Sequence, residues 1–129
     1  MGDGLVRYAL VAAGSAIGGC ARYGIGLAVA RRSASLFPWG TFLVNVTGCF
    51  AIGLFMTVAA ERVAPDPRWR LLFAVGVCGG YTTFSTFAYE TTKLVEGRDY
   101  ALAAANVAGS AVAGLAAVWL GGAVAKWFW

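Results

Sequence analysis

Residues Gly79–Phe87 read GGYTTFSTF and lie in the middle of an otherwise apolar stretch. Gly79 and Gly80 each weaken a helix by up to ~1 kcal/mol relative to alanine. The hydroxyls of Thr82, Thr83, Ser85 and Thr86 can bond backbone groups that an interrupted helix sets free, which is affordable where protein rather than lipid surrounds the break. The phrase therefore predicts a helix broken near the bilayer centre, with main-chain carbonyl oxygens turned outward. Hard oxygens of that kind suit a small hard cation. Phe84 and Phe87 follow at i and i+3 and share a face. Their ring edges are positive and can meet a small anion; plain packing is the other reading of the pair.

Working outward, the chain has 129 residues, 60% of them hydrophobic and 12% charged. Soluble domains carry about a quarter charged residues, so a membrane protein is expected. Four apolar segments, 8–30, 39–60, 71–95 and 100–124, approach or exceed the ~20 residues that cross a ~30 Å hydrocarbon core. The connections RRSASLFP, ERVAPDPRWR and EGRD are short and polar. Pro38 suits the start of the second span, Pro65 and Pro67 its end, and Gly97 the end of the third. The expectation is an all-α protein, a single four-helix transmembrane domain over 1–129. A cleaved signal peptide and a soluble domain are not expected.

The net charge of +4 would suggest nucleic acid in a soluble protein, but here the basic residues cluster at span ends, where they meet lipid headgroups. Trp39, Trp69, Tyr100, Trp127 and Trp129 lie near those ends as an aromatic belt. Cys20, Cys49 and Cys78 fall in three different spans and read as small packing residues. One side of the membrane collects Arg7, Arg62, Arg68, Arg70 and Lys126, and the other Arg31, Arg32, Lys93 and Arg98. That near-tie has two readings: an orientation fixed by one dominant charge, or dual topology, in which opposed copies of the chain pair. Inverted pairing resembles the repeats of transporters. Small residues four apart (Gly14 and Gly18, Gly76 and Gly80, Ser110 and Gly114) allow helices to pack closely in lipid.

Polar groups inside spans are expensive and usually face the protein interior or a wet path. Arg22 either snorkels or pairs to fix packing, or it draws anions into a vestibule. Thr41, Asn45 and Gly48 share one face of the second span, and Asn106, Ser110 and Gly114 one face of the fourth. Either stripe serves packing or lines a conduit, and two stripes in so small a chain favour the conduit. Glu90 lies near the end of the third span, where Lys93 is placed to pair with it. The chain holds no histidine, no Ser–His–Asp set, no metal-ligand spacing and no P-loop, so an enzyme is not expected.

GGCARYG (18–24), GTFLVNVTGCFAIG (40–53) and above all GVCGGYTTFSTFAYE (76–90) resemble the CrcB/Fluc family of fluoride channels. The resemblance runs in order from about Gly18 to Gly121. It implies an antiparallel, dual-topology homodimer in the cell (inner) membrane, with two pores that export fluoride passively and relieve its toxicity. It implies a structural sodium ion (Na+) at the dimer centre, held by the carbonyls of Gly79 and Thr82 from both copies. It also implies that the edges of Phe84 and Phe87 line the pores, that Asn45 points into the pathway and that Arg22 is the arginine of the first-helix motif. Thr41 joins the pore set as Asn45's neighbour one turn back. Asn106 and Ser110 are the candidates for the family's fourth-helix polar track, where a tyrosine is common. A small proton-coupled multidrug exporter is the alternative function; it needs a carboxylate deep in a span, and the first span has none after Asp3.

Overall fold

The computed structural model describes residues 2–61 and 66–128. Arg62, Pro65 and Trp129, used above for the charge count, a helix end and the aromatic belt, lie outside the described residues. Four helices are long and apolar enough to cross a membrane: α1 (Gly2–Arg32), α2 (Trp39–Glu61), α3 (Pro67–Glu96) and α4 (Tyr100–Phe128). Among the described residues there is no strand. The chain is a multi-pass, all-helical membrane protein whose third helix is interrupted.

The helix ends are written in short-range chemistry. Ser33 and Ser35 turn the chain after α1 by accepting bonds from the Ser35 and Phe37 amides at 3.3 and 3.1 Å. Phe37 then packs at a tilt against Trp39, 4.6 Å between ring centroids, and braces the start of α2. Asp66 caps α3 by accepting the Arg68 N–H at 3.0 Å, with Pro67 as the first helical residue. Proline fits there because its missing N–H would have no partner anyway. Pro67 therefore opens the third helix and does not close the second, so the polar PRWR joins the span. Gly97 does end α3, donating to the Lys93 carbonyl at 3.0 Å. The left-handed residue of that turn, however, is Arg98, with φ of 62°, a conformation glycine adopts far more cheaply.

Packing pairs α1 with the first half of α3 and α2 with α4. At the first contact the glycines of α1 meet main chain directly. A methyl on Gly14 would strike the Leu72 carbonyl, one on Gly18 the Val77 carbonyl, and one on Gly80 would lie 2.6 Å from the Ser15 carbonyl. The glycine spacings on α1 and α3 are thus two halves of one interface. On the other pair the close approaches are at Gly53, against the Val118 carbonyl, and Gly121, against the Phe50 carbonyl. Gly114 only touches Cys49, its Cβ position 3.4 Å from the sulfur. Leu71–Cys78 is wound as a π-helix, so that the Gly79 N–H reaches back five residues to the Ala74 carbonyl.

Candidate functional site

The chain leaves helical geometry at Thr82 (φ −82°, ψ 157°) and Thr83 (φ −150°, ψ 113°), and α3 resumes at Phe84. Gly79 itself stays helical, so the interruption follows the double glycine by three residues. Two side chains make it. In a continuous helix the Thr83 N–H would bond to the Gly79 carbonyl; here it donates to Asn45 Oδ1 at 2.8 Å. The Thr86 N–H would bond to the Thr82 carbonyl; it donates instead to Thr83 Oγ1 at 3.2 Å, an N-cap for the second half of α3. The carbonyls of Gly79 and Thr82 thereby lose their helical partners. The Thr82 carbonyl accepts a long 3.4 Å bond from Arg22 Nη1.

The stretch Asn45–Gly48 of α2 cradles the break. Asn45 returns a second bond, Nδ2 donating to the Thr83 carbonyl at 3.1 Å. Thr47 Oγ1 and the Tyr81 hydroxyl share a 2.8 Å bond. Gly48 leaves room for the Thr82 methyl, which a Cβ there would strike. Beside this cradle lies an open cleft of about 350 Å³ lined by Asn45, Gly48, Gly79, Thr82, Thr83 and Phe84. Among the described residues no group of three His, Cys, Asp or Glu could hold a metal ion.

Phe84 and Phe87 lie on the first turn of the resumed helix, rings 5.6 Å apart and tilted by 45°. Phe84 is 79% exposed in the single chain, while Phe87 is half-buried. A polar thread starts behind Phe87. Thr91 Oγ1 donates to the Phe87 carbonyl at 2.8 Å, Asn106 Nδ2 donates to Thr91 Oγ1 at 2.9 Å, and Ser110 Oγ donates to Asn106 Oδ1 at 3.3 Å. Asn106 is only 1% exposed. The fourth-span stripe therefore divides: Asn106 and Ser110 serve α3, and Gly114 serves α2.

On the far side of Thr83 a second cleft of about 500 Å³ is lined by Arg22, Tyr23, Thr41, Thr83, Thr86 and Glu90. Thr41 donates its hydroxyl to Glu90 Oε1 at 2.9 Å. Glu90 Oε2 is buried with no hydrogen-bonding partner among the described residues. Lys93 does not pair with Glu90; it reaches forward to Glu96 at 2.7 Å, because Glu90 turns inward toward α2. The structure thus groups Arg22, Thr41, Asn45, Gly79, Thr82 and Phe84 around Thr83, and sets Phe87, Asn106 and Ser110 along a separate thread. Sequence reasoning missed Thr83 as the hub and Thr91 as the link. The Thr83–Thr86 spacing of a hydroxyl cap three residues ahead of its amide was the available signal.

The profile described as "CrcB-like protein, Camphor Resistance (CrcB)" matches residues 9–122. A Solibacter usitatus protein named "Fluoride-specific ion channel FluC" is 49% identical over 121 residues, 94% of this chain and 99% of its own length. One of the same name from Paramagnetospirillum magneticum is 49% identical over 91% of this chain and 93% of its own. "Fluoride-specific ion channel FluC 1" of Rhodopseudomonas palustris is 46% identical over 95% and 89%.

Proposed function

The chain belongs to the CrcB family, and from that premise we propose that it is a fluoride-selective ion channel giving passive fluoride export across the cell membrane. It lowers cytoplasmic fluoride as a conduit, not as a catalyst. The observation that carries this reading is the interrupted α3, which frees carbonyls at Gly79 and Thr82 and puts Phe84 and Phe87 on the very next turn.

The same feature supports an antiparallel dual-topology homodimer. The break, the cleft beside it and the 79% exposed Phe84 all open outward from one chain. Polar main chain facing lipid is too costly to leave uncovered. A second, inverted copy covers it with an identical break, and the near-even distribution of basic residues permits both insertions. The residues present also fit a structural sodium ion. Gly79 and Thr82 offer two carbonyls per chain, four in a pair, and sodium would fix there how the two broken helices meet. One lone pair of the Thr82 carbonyl is engaged by Arg22, and a carbonyl oxygen has two.

Fluoride is small and strongly hydrated, so its water must be replaced in stages by contacts that bind without trapping. Arg22 supplies the attractive charge in the 500 Å³ cleft. Asn45 has a second N–H beyond the one given to Thr83. Thr86 accepts from Thr83 at 3.0 Å and keeps its own proton to give. Thr41 gives its proton to Glu90 and is a weaker candidate. Ring edges of Phe84 and Phe87 follow, with the thread through Thr91, Asn106 and Ser110 holding the second ring's backbone.

Purified protein in liposomes loaded with fluoride tests this with an external electrode. Fluoride should leave without a proton gradient, and Phe84→Ile or Phe87→Ile should lose most of the flux while assembly is retained. Phe→Met, which keeps a polarisable group, should retain more. Absence of fluoride flux, or flux that requires a proton gradient, overturns the proposal; full flux in the isoleucine variants overturns the ring-edge mechanism alone.

A further inference from the structure

We infer that Asn45 is the positioning residue that frees the Gly79 carbonyl for the cation and holds Thr83 in the extended form beside it, rather than only a lining of the fluoride path. This rests on the sodium reading above and goes beyond it by assigning the release of the Gly79 carbonyl to one side chain. Among the described residues Asn45 is the one side chain bonded to both backbone groups of Thr83: Oδ1 accepts its N–H at 2.8 Å and Nδ2 donates to its carbonyl at 3.1 Å. A primary amide is the side chain that presents an acceptor and a donor side by side, as a neighbouring β-strand would. Thr83 answers with extended backbone, φ −150° and ψ 113°. Asn45 thus acts as a one-residue strand partner inside a helical bundle.

The consequence reaches Gly79. Its carbonyl is freed because the Thr83 amide, four residues on, is claimed by α2. Gly79 has no conformational anomaly of its own; it is helical, and its Cβ position meets nothing nearer than the Ala74 oxygen at 3.9 Å. The open face and the free oxygen are therefore set by the protein's own hydrogen bonding, and the oxygen is made available from 34 positions away in the chain. Thr47 and Gly48, which fix Tyr81 and admit the Thr82 methyl, hold the segment at the height where Asn45 can reach it.

The test uses the full-length protein in detergent and reads its thermal midpoint against sodium chloride, with N-methylglucamine chloride keeping ionic strength constant. The wild type should be stabilised by sodium. Asn45→Ala should need about tenfold more sodium for the same stabilisation, because the two bonds to Thr83 no longer hold the carbonyls in place. Phe84→Ile should keep the wild-type sodium response even though it loses flux. A second measurement needs no variant: amide exchange at Thr83 in sodium-free wild type should stay protected, because the bond to Asn45 precedes the ion. An Asn45→Ala protein with a wild-type sodium response, or a Thr83 amide protected only when sodium is present, overturns the inference. A wild type indifferent to sodium overturns the cation reading and the inference with it.

Discussion

Asn45 on α2 and Asn106 on α4 are the same residue type, in the same kind of polar stripe, each facing α3. Asn45 spends its amide on the main chain of Thr83, and α3 is broken there. Asn106 spends its amide on the hydroxyls of Thr91 and Ser110, and α3 runs unbroken past it. The difference is in what lies opposite. Thr91 offers a hydroxyl that is itself anchored to the Phe87 carbonyl, so Asn106 is satisfied without disturbing any helical bond. Opposite Asn45 stand a backbone N–H and C=O, which become available only if the helix opens. An amide in oil thus either completes a side-chain network or takes backbone from its neighbour, and the second choice is what generates a site.

The contrast can be broken most severely at the packing that holds the first half of α3. Gly80→Leu forces a side chain into the Ser15 carbonyl, 2.6 Å from the Cβ position. Overpacking against rigid backbone costs roughly 1–3 kcal/mol or more, so little folded protein and no flux are expected. On the α2–α4 side Gly114→Ala, 3.4 Å from Cys49 Sγ, should be nearly neutral. Monodisperse yield and thermal midpoint compare the two; equal tolerance would mean the α1–α3 contact is not what holds the first half of α3.

Asn106→Leu sharpens the comparison at intermediate size. It leaves Ser110 without its acceptor and Thr91 with only its Phe87 bond. A loss of about 1–3 kcal/mol in stability is expected, with a partial fall in flux. Its sodium response should remain that of the wild type, unlike Asn45→Ala. A sodium response lost in both would erase the distinction between the two asparagines.

The smallest effect is expected at the turn that joins α3 to the Asn106 helix. Arg98→Gly relieves a left-handed conformation worth about 1 kcal/mol and should raise the thermal midpoint slightly. It also changes the opposed basic counts from five and four to five and three. Tags on the C-terminus should then shift toward cytoplasmic exposure, modestly, relative to the parent. An unchanged tag distribution would mean that Arg98 does not influence orientation.

Spans were legible because hydrocarbon thickness imposes length and composition on every crossing segment, and the glycine faces were legible because α1 and α3 carry matching spacings. The double glycine signalled an interruption in α3, yet the interruption falls at Thr82–Thr83. Its position depends on Asn45, which is 38 residues distant from Thr83, and no local propensity encodes that. For the same reason the two asparagines looked alike in sequence: a residue's partner type is a tertiary fact. Lys93 was placed with Glu90 by spacing alone, but a salt bridge on an exposed face to Glu96 was equally close and required no desolvation.

The pairing of α1 with α3 and of α2 with α4 bears on how the protein is made. At about 5–20 residues per second, several seconds separate the synthesis of Gly18 from that of Gly80. During that interval the glycine face of α1 has no counterpart, and the face of α2 waits longer still for α4. Each of α1 and α2 is therefore inserted before its packing partner exists, and the α1–α3 contact can form before α4 has been made. The α2–α4 contact is thus the last to form, and a product truncated before α4 would leave Gly53 of α2 without the main chain it packs against.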